Sequence, residues 1–159
     1  MARVLPAPGP LTFVERLAVL ADVPLVRGAG IQVLVELADL MEEVTFEPGQ
    51  TIFERGNPRG EAFLVLQGEA EGSQLDPALR VVFGPGTFVG GVASLGHPVL
   101  AWEARATTRV RALSMRLEDW FDLMEEHFDL VRSALSELAR RREVMLEDLS
   151  AGKDELRVG

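Results

Sequence analysis

The spacing of apolar positions changes twice along the chain, and each of the three segments predicts a different secondary structure. In the first segment, apolar residues recur at helical intervals behind Thr12 and Glu15, which have the spacing of a capping box. The pattern predicts a short helix that ends near Asp22 and a second helix from about Gly30 to Glu42. Both helices would present an apolar face to a core.

The second segment consists of short apolar runs separated by glycine turns. This pattern is typical of a small β-sandwich or barrel. Such runs occupy residues 44–46, 52–53, 63–66, 79–83 and 104–115. Strands this short are not stable alone, so we expect them to pair within one domain.

After Arg116 the apolar positions follow alternating steps of four and three residues, which is the repeat of a coiled-coil helix. Residues 129–149 of such a helix would span about 30 Å, which is longer than a small barrel could cover. We interpret this segment as a helix that pairs with a second copy of the chain; the alternative is a helix that packs on its own barrel. The residues expected at the dimer interface are Val131, Leu135, Leu138, Arg142, Met145 and Leu149.

Composition narrows the classes of function. The chain has 159 residues, a net charge of −9 and no cysteine, which suits one domain and excludes disulfides and thiolate metal sites. The acidic balance disfavours direct binding to nucleic acid or to anionic membranes. No apolar run approaches the roughly 20 residues of a membrane span, and the first ten residues, with three prolines, lack the apolar core of a signal peptide. We therefore expect a cytoplasmic protein.

No catalytic constellation stands out. The two histidines, His97 and His127, lie 30 residues apart, and neither a G-x-S-x-G nor an H-E-x-x-H motif occurs. Paired carboxylates such as Glu42–Glu43 and Glu125–Glu126 adjoin helical stripes, where they are typical of solvated faces. The sequence predicts neither an enzyme nor a metal site.

Three strings in this order resemble the cyclic nucleotide-binding domain, in particular the sensor domain of the catabolite activator and FNR-type regulators. They are FEPGQTIFERG at 46–56, FLVLQG at 63–68 and DLVRSALSELARR at 129–141. The resemblance covers residues 12–149 and implies a mainly β fold with flanking helices: a double-stranded β-helix, or jelly-roll-like, barrel followed by a long C-terminal dimerisation helix. The expected divisions are a flexible arm (1–10), N-terminal helices and barrel (11–116), C-terminal helices (117–149) and a flexible tail (150–159).

The family binds the cyclic phosphate in a cassette of pattern G-x-F-x-G-E-x-A-L that ends in P-R-x-A. The resemblance implies a short helix whose backbone N–H groups meet the phosphate, an arginine that neutralises it and a glutamate that accepts from the ribose. In this chain Gly91 occupies the glutamate position, and Val99 or Leu100 occupies the arginine position. The frame of the cassette is kept by Gly86, Phe88, Gly90, Ala93 and Leu95.

By the same resemblance, a degenerate pocket is expected around this cassette. His97 and Arg105 are the candidates for anion contacts, and Trp102 either belongs to the barrel core or fills the vacated pocket. The expected pocket residues are Phe88, Val89, Gly90, Gly91, Val92, Ala93, Val99, Leu100, Ala101 and Trp102.

These observations predict a stand-alone regulatory or sensor module that uses no cofactor and acts through a non-standard ligand or a protein partner. One alternative is a signalling protein that binds a cyclic nucleotide through backbone donors in place of the missing charges. A second is a protein related to transcription regulators that acts through a partner, because the ten residues after Leu149 are too few for a winged helix-turn-helix.

Overall fold

The fold was analysed in a computed structural model, which describes residues 9–55, 60–73, 80–90, 103–152 and 155–158. Four helices fall in these ranges: α1 (Phe13–Asp22), α2 (Ile31–Leu40), α3 (Leu117–Glu126) and α4 (Phe128–Ser150). The strands are β1 (Glu42–Phe46), β2 (Thr51–Phe53), β3 (Glu61–Gln67), β4 (Ala70–Ser73), β5 (Arg80–Phe83), β6 (Phe88–Val89), β7 (Glu103–Ala106), β8 (Val110–Arg116) and β9 (Glu155–Val158).

The strands form two sheets that face each other as a β-roll. The first sheet has the order β1-β8-β3-β6 and the second the order β2-β7-β4-β5-β9. All pairings are antiparallel except the parallel pairing of β5 with β9. This arrangement, with the long helix α4 at its C-terminal side, confirms the fold class predicted from the sequence.

The first sheet separates two apolar clusters, since successive residues of a strand point to opposite faces. On β3, the side chains of Phe63 and Val65 enter the interior between the two sheets. The other face of β3 packs against the helices through Ala62, Leu64 and Leu66. β3 is therefore buried on both sides, between the barrel interior and the helical layer.

The N-terminal helices form as predicted. Thr12 caps α1 with a complete capping box: its hydroxyl accepts from the Glu15 N–H, and the Glu15 carboxylate accepts from the Thr12 N–H at 2.7 Å. The second helix ends at Leu40, two residues earlier than predicted, because the chain is already extended at Met41 and enters β1 at Glu42.

The predicted single strand over residues 104–115 is wrong, since this segment forms two strands in different sheets. The chain turns between β7 and β8, where the N–H groups of Thr107 and Thr108 both donate to the Glu69 carbonyl. The Thr107 hydroxyl donates to the same oxygen at 3.0 Å. Polar residues without a glycine or proline gave no turn signal in the sequence.

The C-terminal residues also differ from expectation. The sequence predicts a flexible tail over residues 150–159, whereas Glu155–Val158 forms β9 along the free side of β5. Pairing with β9 satisfies backbone groups that would otherwise line an open sheet edge. A strand of four residues is too short to give a readable alternation of apolar and polar positions.

Candidate functional site

The chain reaches the predicted cassette through a turn that is fixed to β3. The Gly86 N–H donates to the Val65 carbonyl at 2.8 Å, and the Val65 N–H donates to the Thr87 carbonyl at 3.0 Å. Gly86 has a φ of +86°, which a residue with a Cβ adopts only with strain. This turn places β6 beside β3, with Val89 opposite Phe63.

The backbone leaves β6 through a second glycine in the left-handed region. Gly90 is buried and has a φ of +88°. Most predicted pocket residues follow it and lie outside the described residues, so the two interpretations of Trp102 stay predictions. The predicted pocket residues outside the described part are Gly91, Val92, Ala93, Val99, Leu100, Ala101 and Trp102, and the candidate anion contact His97 lies there too.

The two residues of β6 belong to different clusters. Val89 is buried in the barrel interior. Phe88, in contrast, lies on the helical side, where its ring centroid is 5.7 Å from that of Trp120 in α3. The side chain of Phe88 therefore connects the start of the cassette to α3 instead of lining the barrel interior.

Sequence reasoning overlooked Trp120. It is buried on the inner face of α3 together with Leu123, and its indole N–H has no hydrogen-bond partner among the described residues. The spacing of three residues between Trp120 and Leu123 is a helical signal that could have identified this contact face. Because Trp120 contacts Phe88 at the start of the cassette, its environment depends on how the cassette packs against α3.

The described part of the barrel interior offers no charge to a ligand. Among the described residues the only buried charged side chain is that of Glu137, which belongs to α4 and not to the barrel. Burial of an ionic ligand in this interior would be costly, since a charge that leaves water needs a partner. The members of the buried interior cluster are Ile52, Phe53, Phe63, Val65, Ala70, Val89, Ala104, Ala106, Val110 and Ala112.

Arg105, the second candidate for an anion contact, lies on the outer face of the second sheet. Its neighbours Ala104 and Ala106 are buried in the interior, whereas the Arg105 side chain is 58% exposed. One guanidinium nitrogen lies 3.4 Å from the Gly49 carbonyl, and another lies 3.9 Å from the Glu103 carboxylate. The guanidinium therefore lies at the surface, beside two acceptors of its own chain.

Helix α4 is buried on one face and exposed on the other. The buried face consists of Leu130, Ser133, Ala134 and Glu137. Among the residues predicted at a dimer interface, Leu135, Arg142 and Leu149 are exposed, Val131 and Leu138 are half-buried, and the Met145 side chain lies outside the described part. Packing of α4 on its own domain therefore leaves much of the predicted interface stripe exposed.

Polar contacts fasten the first turns of α4 to the connection between α1 and α2. The Ser133 hydroxyl donates to the Leu25 carbonyl at 2.9 Å and accepts from the Gly28 N–H at 3.2 Å. The Asp129 carboxylate accepts from the Gly30 N–H at 2.5 Å. This backbone hydrogen bond from Gly30 holds the pKa of Asp129 below its usual range.

Within the described ranges, none of the helices has the length and apolarity that crossing a bilayer would need.

Comparisons with known proteins agree with this architecture. A potassium channel from Mesorhizobium japonicum, described as cyclic nucleotide-gated, is 34% identical over 109 residues, which are 68% of this chain and 30% of the channel. The chain therefore spans less than a third of that relative.

Two solved structures share the fold at low identity. The sensor domain of the transcriptional regulator DNR from Pseudomonas aeruginosa has a TM-score of 0.67 at 16% identity, covering 79% of this chain and 91% of that one. The regulatory subunit of a cAMP-independent protein kinase A from Trypanosoma brucei has a TM-score of 0.63 at 18% identity, covering 80% of this chain and 52% of that one.

The family model of the cyclic nucleotide-binding domain matches residues 43–127, which run from β1 to the end of α3. This match includes the strands from β1 to β8, the cassette and the helix that carries Trp120. Since it spans more than half of the sequence, the chain belongs to the cyclic nucleotide-binding domain family.

Proposed function

We propose that this chain is a regulatory module whose β-roll does not bind cAMP or cGMP in the usual way and instead responds to another ligand or to a protein partner. The observation that carries the proposal is the loss of both charged positions of the cassette. Gly91 stands in place of the glutamate, and Val99 or Leu100 stands in place of the arginine.

The expected loss of affinity is large. Truncation of one partner of a buried, hydrogen-bonded charge pair costs about 2–5 kcal/mol. At about 1.4 kcal/mol for each factor of ten, the missing arginine alone would weaken binding roughly 30- to 3,000-fold. The missing glutamate adds to this, because it removes the acceptor for the ribose hydroxyl.

The described residues offer no substitute charge inside the barrel. The interior cluster is apolar, and Arg105 lies on the outer face with Glu103 and the Gly49 carbonyl as neighbours. To reach a phosphate inside the barrel, the Arg105 side chain would have to cross to the other face of its sheet. This placement supports a pocket that prefers a neutral ligand or none.

The descriptions of the relatives differ in what they say about cyclic nucleotides. One is described as gated by cyclic nucleotides, and another of the same fold is described as cAMP-independent. The first description names a gated channel, and the second names a regulatory subunit. The fold therefore fits a regulatory role and leaves the ligand to the residues of the cassette.

We further propose that the module acts as a homodimer through α4. The exposed stripe of Leu135 and Leu149 lies off the face that Leu130 and Ala134 bury against the domain. In heptad terms the predicted interface positions form the a and d seam, and Leu130, Ser133 and Glu137 fall at outer positions. The two faces of α4 can thus be used at the same time.

A calorimetric titration with cAMP and cGMP tests the ligand proposal. We expect no binding tighter than about 100 µM, in keeping with the affinity loss above. Restoring the two charges in Gly91→Glu/Leu100→Arg, and in Gly91→Glu/Val99→Arg for the other alignment, should produce tighter binding in one of the two. The matched control is Arg105→Ala, which should change nothing.

Low-micromolar binding by the unmodified chain would contradict the proposal and favour the second candidate, a cyclic nucleotide held by backbone donors. The observation behind that candidate is the left-handed Gly90 at the end of β6, where a turn can aim N–H groups at an anion. In that case Arg105→Ala and His97→Ala would be the next variants to titrate.

A further inference from the structure

Three side chains with metal-binding atoms meet where α2 contacts the junction of α3 and α4. They are Glu36 of α2, Glu126 at the end of α3, and His127 between α3 and α4. One ligand atom of each lies within 4.8 Å of the other two. The His127 Nε2 atom is already 3.1 Å from a carboxylate oxygen of Glu36.

The backbone holds these groups in place from both sides. His127 is extended, with φ −126° and ψ 96°, so the chain breaks between α3 and α4 at this residue. Beyond the break, Asp129 and Ser133 fasten α4 to the residues that precede α2. The His127 side chain is 19% exposed and that of Glu36 is 33% exposed, so both are partly withdrawn from water yet open to an ion.

The donor set matches a borderline divalent cation. Imidazole nitrogen with carboxylate oxygen is a combination that Zn²⁺ takes in proteins, and three protein ligands leave a position for water. A tetrahedral Zn²⁺ with bonds of about 2.1 Å needs ligand atoms about 3.4 Å apart. Side-chain rotations that bring the atoms closer by roughly 1.5 Å would therefore complete the site.

Charge favours the same occupant. Two carboxylates that face one imidazole repel each other, and the chain as a whole carries a charge of −9. An ion pair of His127 with Glu36 would leave Glu126 without a role in the cluster, whereas a divalent cation would use all three groups.

We propose that Glu36, Glu126 and His127 form a binding site for a divalent transition-metal ion, with Zn²⁺ as the best fit. The bound ion would join α2 to the α3–α4 junction. The sequence alone does not suggest this site, because Glu36 lies 91 residues before His127 and no local spacing connects them. The inference does not depend on which ligand the β-roll takes.

The test is a calorimetric titration of the EDTA-treated full chain with ZnCl₂. The background is low, since the chain has no cysteine and only two histidines. We expect one ion per chain, and His127→Ala and Glu36→Gln should each weaken binding at least tenfold, about 1.4 kcal/mol. The matched controls are His97→Ala and Glu125→Gln, which should bind like the unmodified chain.

Two further readouts separate a site from a general acidic surface. Thermal melts without metal establish that each variant is folded, and the conservative Glu36→Gln variant covers the case in which His127→Ala unfolds. Hydrogen exchange should slow on addition of Zn²⁺ at the amides of Leu130 and Val131, which donate to the His127 carbonyl. Equal Zn²⁺ affinity of the unmodified chain and both ligand variants, equal responses to Zn²⁺ and Mg²⁺, or no binding at 100-fold excess metal would each overturn the proposal.

Discussion

Replacement of Leu135 by aspartate separates the two faces of α4. Leu135 is 59% exposed, whereas Leu130 and Ala134 on the other face are fully buried. The substitution should therefore leave the fold of the single chain intact and act only on an assembly that covers the exposed face. In a coiled-coil dimer the Leu135 side chain of each copy would be buried at the seam, so two leucines are affected.

The magnitude follows from the exposed area. Full burial of a leucine side chain contributes about 1.5–3 kcal/mol, so the exposed part of Leu135 would contribute about 1–2 kcal/mol in each copy. Two copies lose about 2–4 kcal/mol, which raises the dimer dissociation constant roughly 30- to 700-fold. Burial of an unpaired carboxylate at the seam adds to this loss.

Sedimentation equilibrium between about 1 and 100 µM provides the assay, with circular dichroism as the check that α4 remains helical. We expect a dimer for the unmodified chain and a monomer for Leu135→Asp. Ser136→Asp is the matched control, because Ser136 is exposed on the same helix at a position off the seam, and it should remain dimeric. A monomeric unmodified chain at about 50 µM, with identical behaviour of both variants, would refute the reasoning about α4.

Two predictions concern the buried face of α4. Ser133→Ala removes the hydrogen bond that the hydroxyl donates to the Leu25 carbonyl and the one that it accepts from the Gly28 N–H. Thermal unfolding should therefore shift down by about 2–8 °C for a loss of about 1–2 kcal/mol, whereas the exposed Ser136→Ala should change little. Side-chain hydrogen bonds from Arg140 and Arg141 lower the pKa of the buried Glu137. The ionised carboxylate therefore stabilises the folded chain above the unfolded-state pKa of 4.5, and this contribution is lost as the pH falls through the lower folded-state pKa. In Glu137→Gln the unfolding temperature should fall at neutral pH and depend less on pH below 4.5 than in the unmodified chain; parallel pH profiles would contradict this assignment.

The sequence predicted local features well, because each depends on neighbours in the chain. The capping box at Thr12 and the strand at residues 63–66 are readable from a few consecutive residues, and both form as expected. The resemblance to the cyclic nucleotide-binding domain, carried by the order of three short strings, agrees with the family model that matches residues 43–127.

The features that sequence reasoning missed depend on contacts between distant segments. Nothing near Phe88 indicates that its ring meets Trp120, and nothing near Glu36 indicates His127. The separation of β7 from β8 depends on the Glu69 carbonyl, which accepts from a turn 38 residues later. Such pairings are decided by how the two sheets and the helices pack, and a pattern of apolar positions does not encode them.

The frame residues of the cassette have structural roles that do not involve a nucleotide. Gly86 adopts a positive φ and donates to β3, Gly90 turns the chain out of β6 with a positive φ, and Phe88 packs on Trp120. In this chain these features fix the start of the cassette to β3 and α3 without any ligand. Retention of these three residues therefore does not argue for a cyclic nucleotide. The residues that would argue for one are the two charges, and those are the positions at which this chain differs from the family pattern.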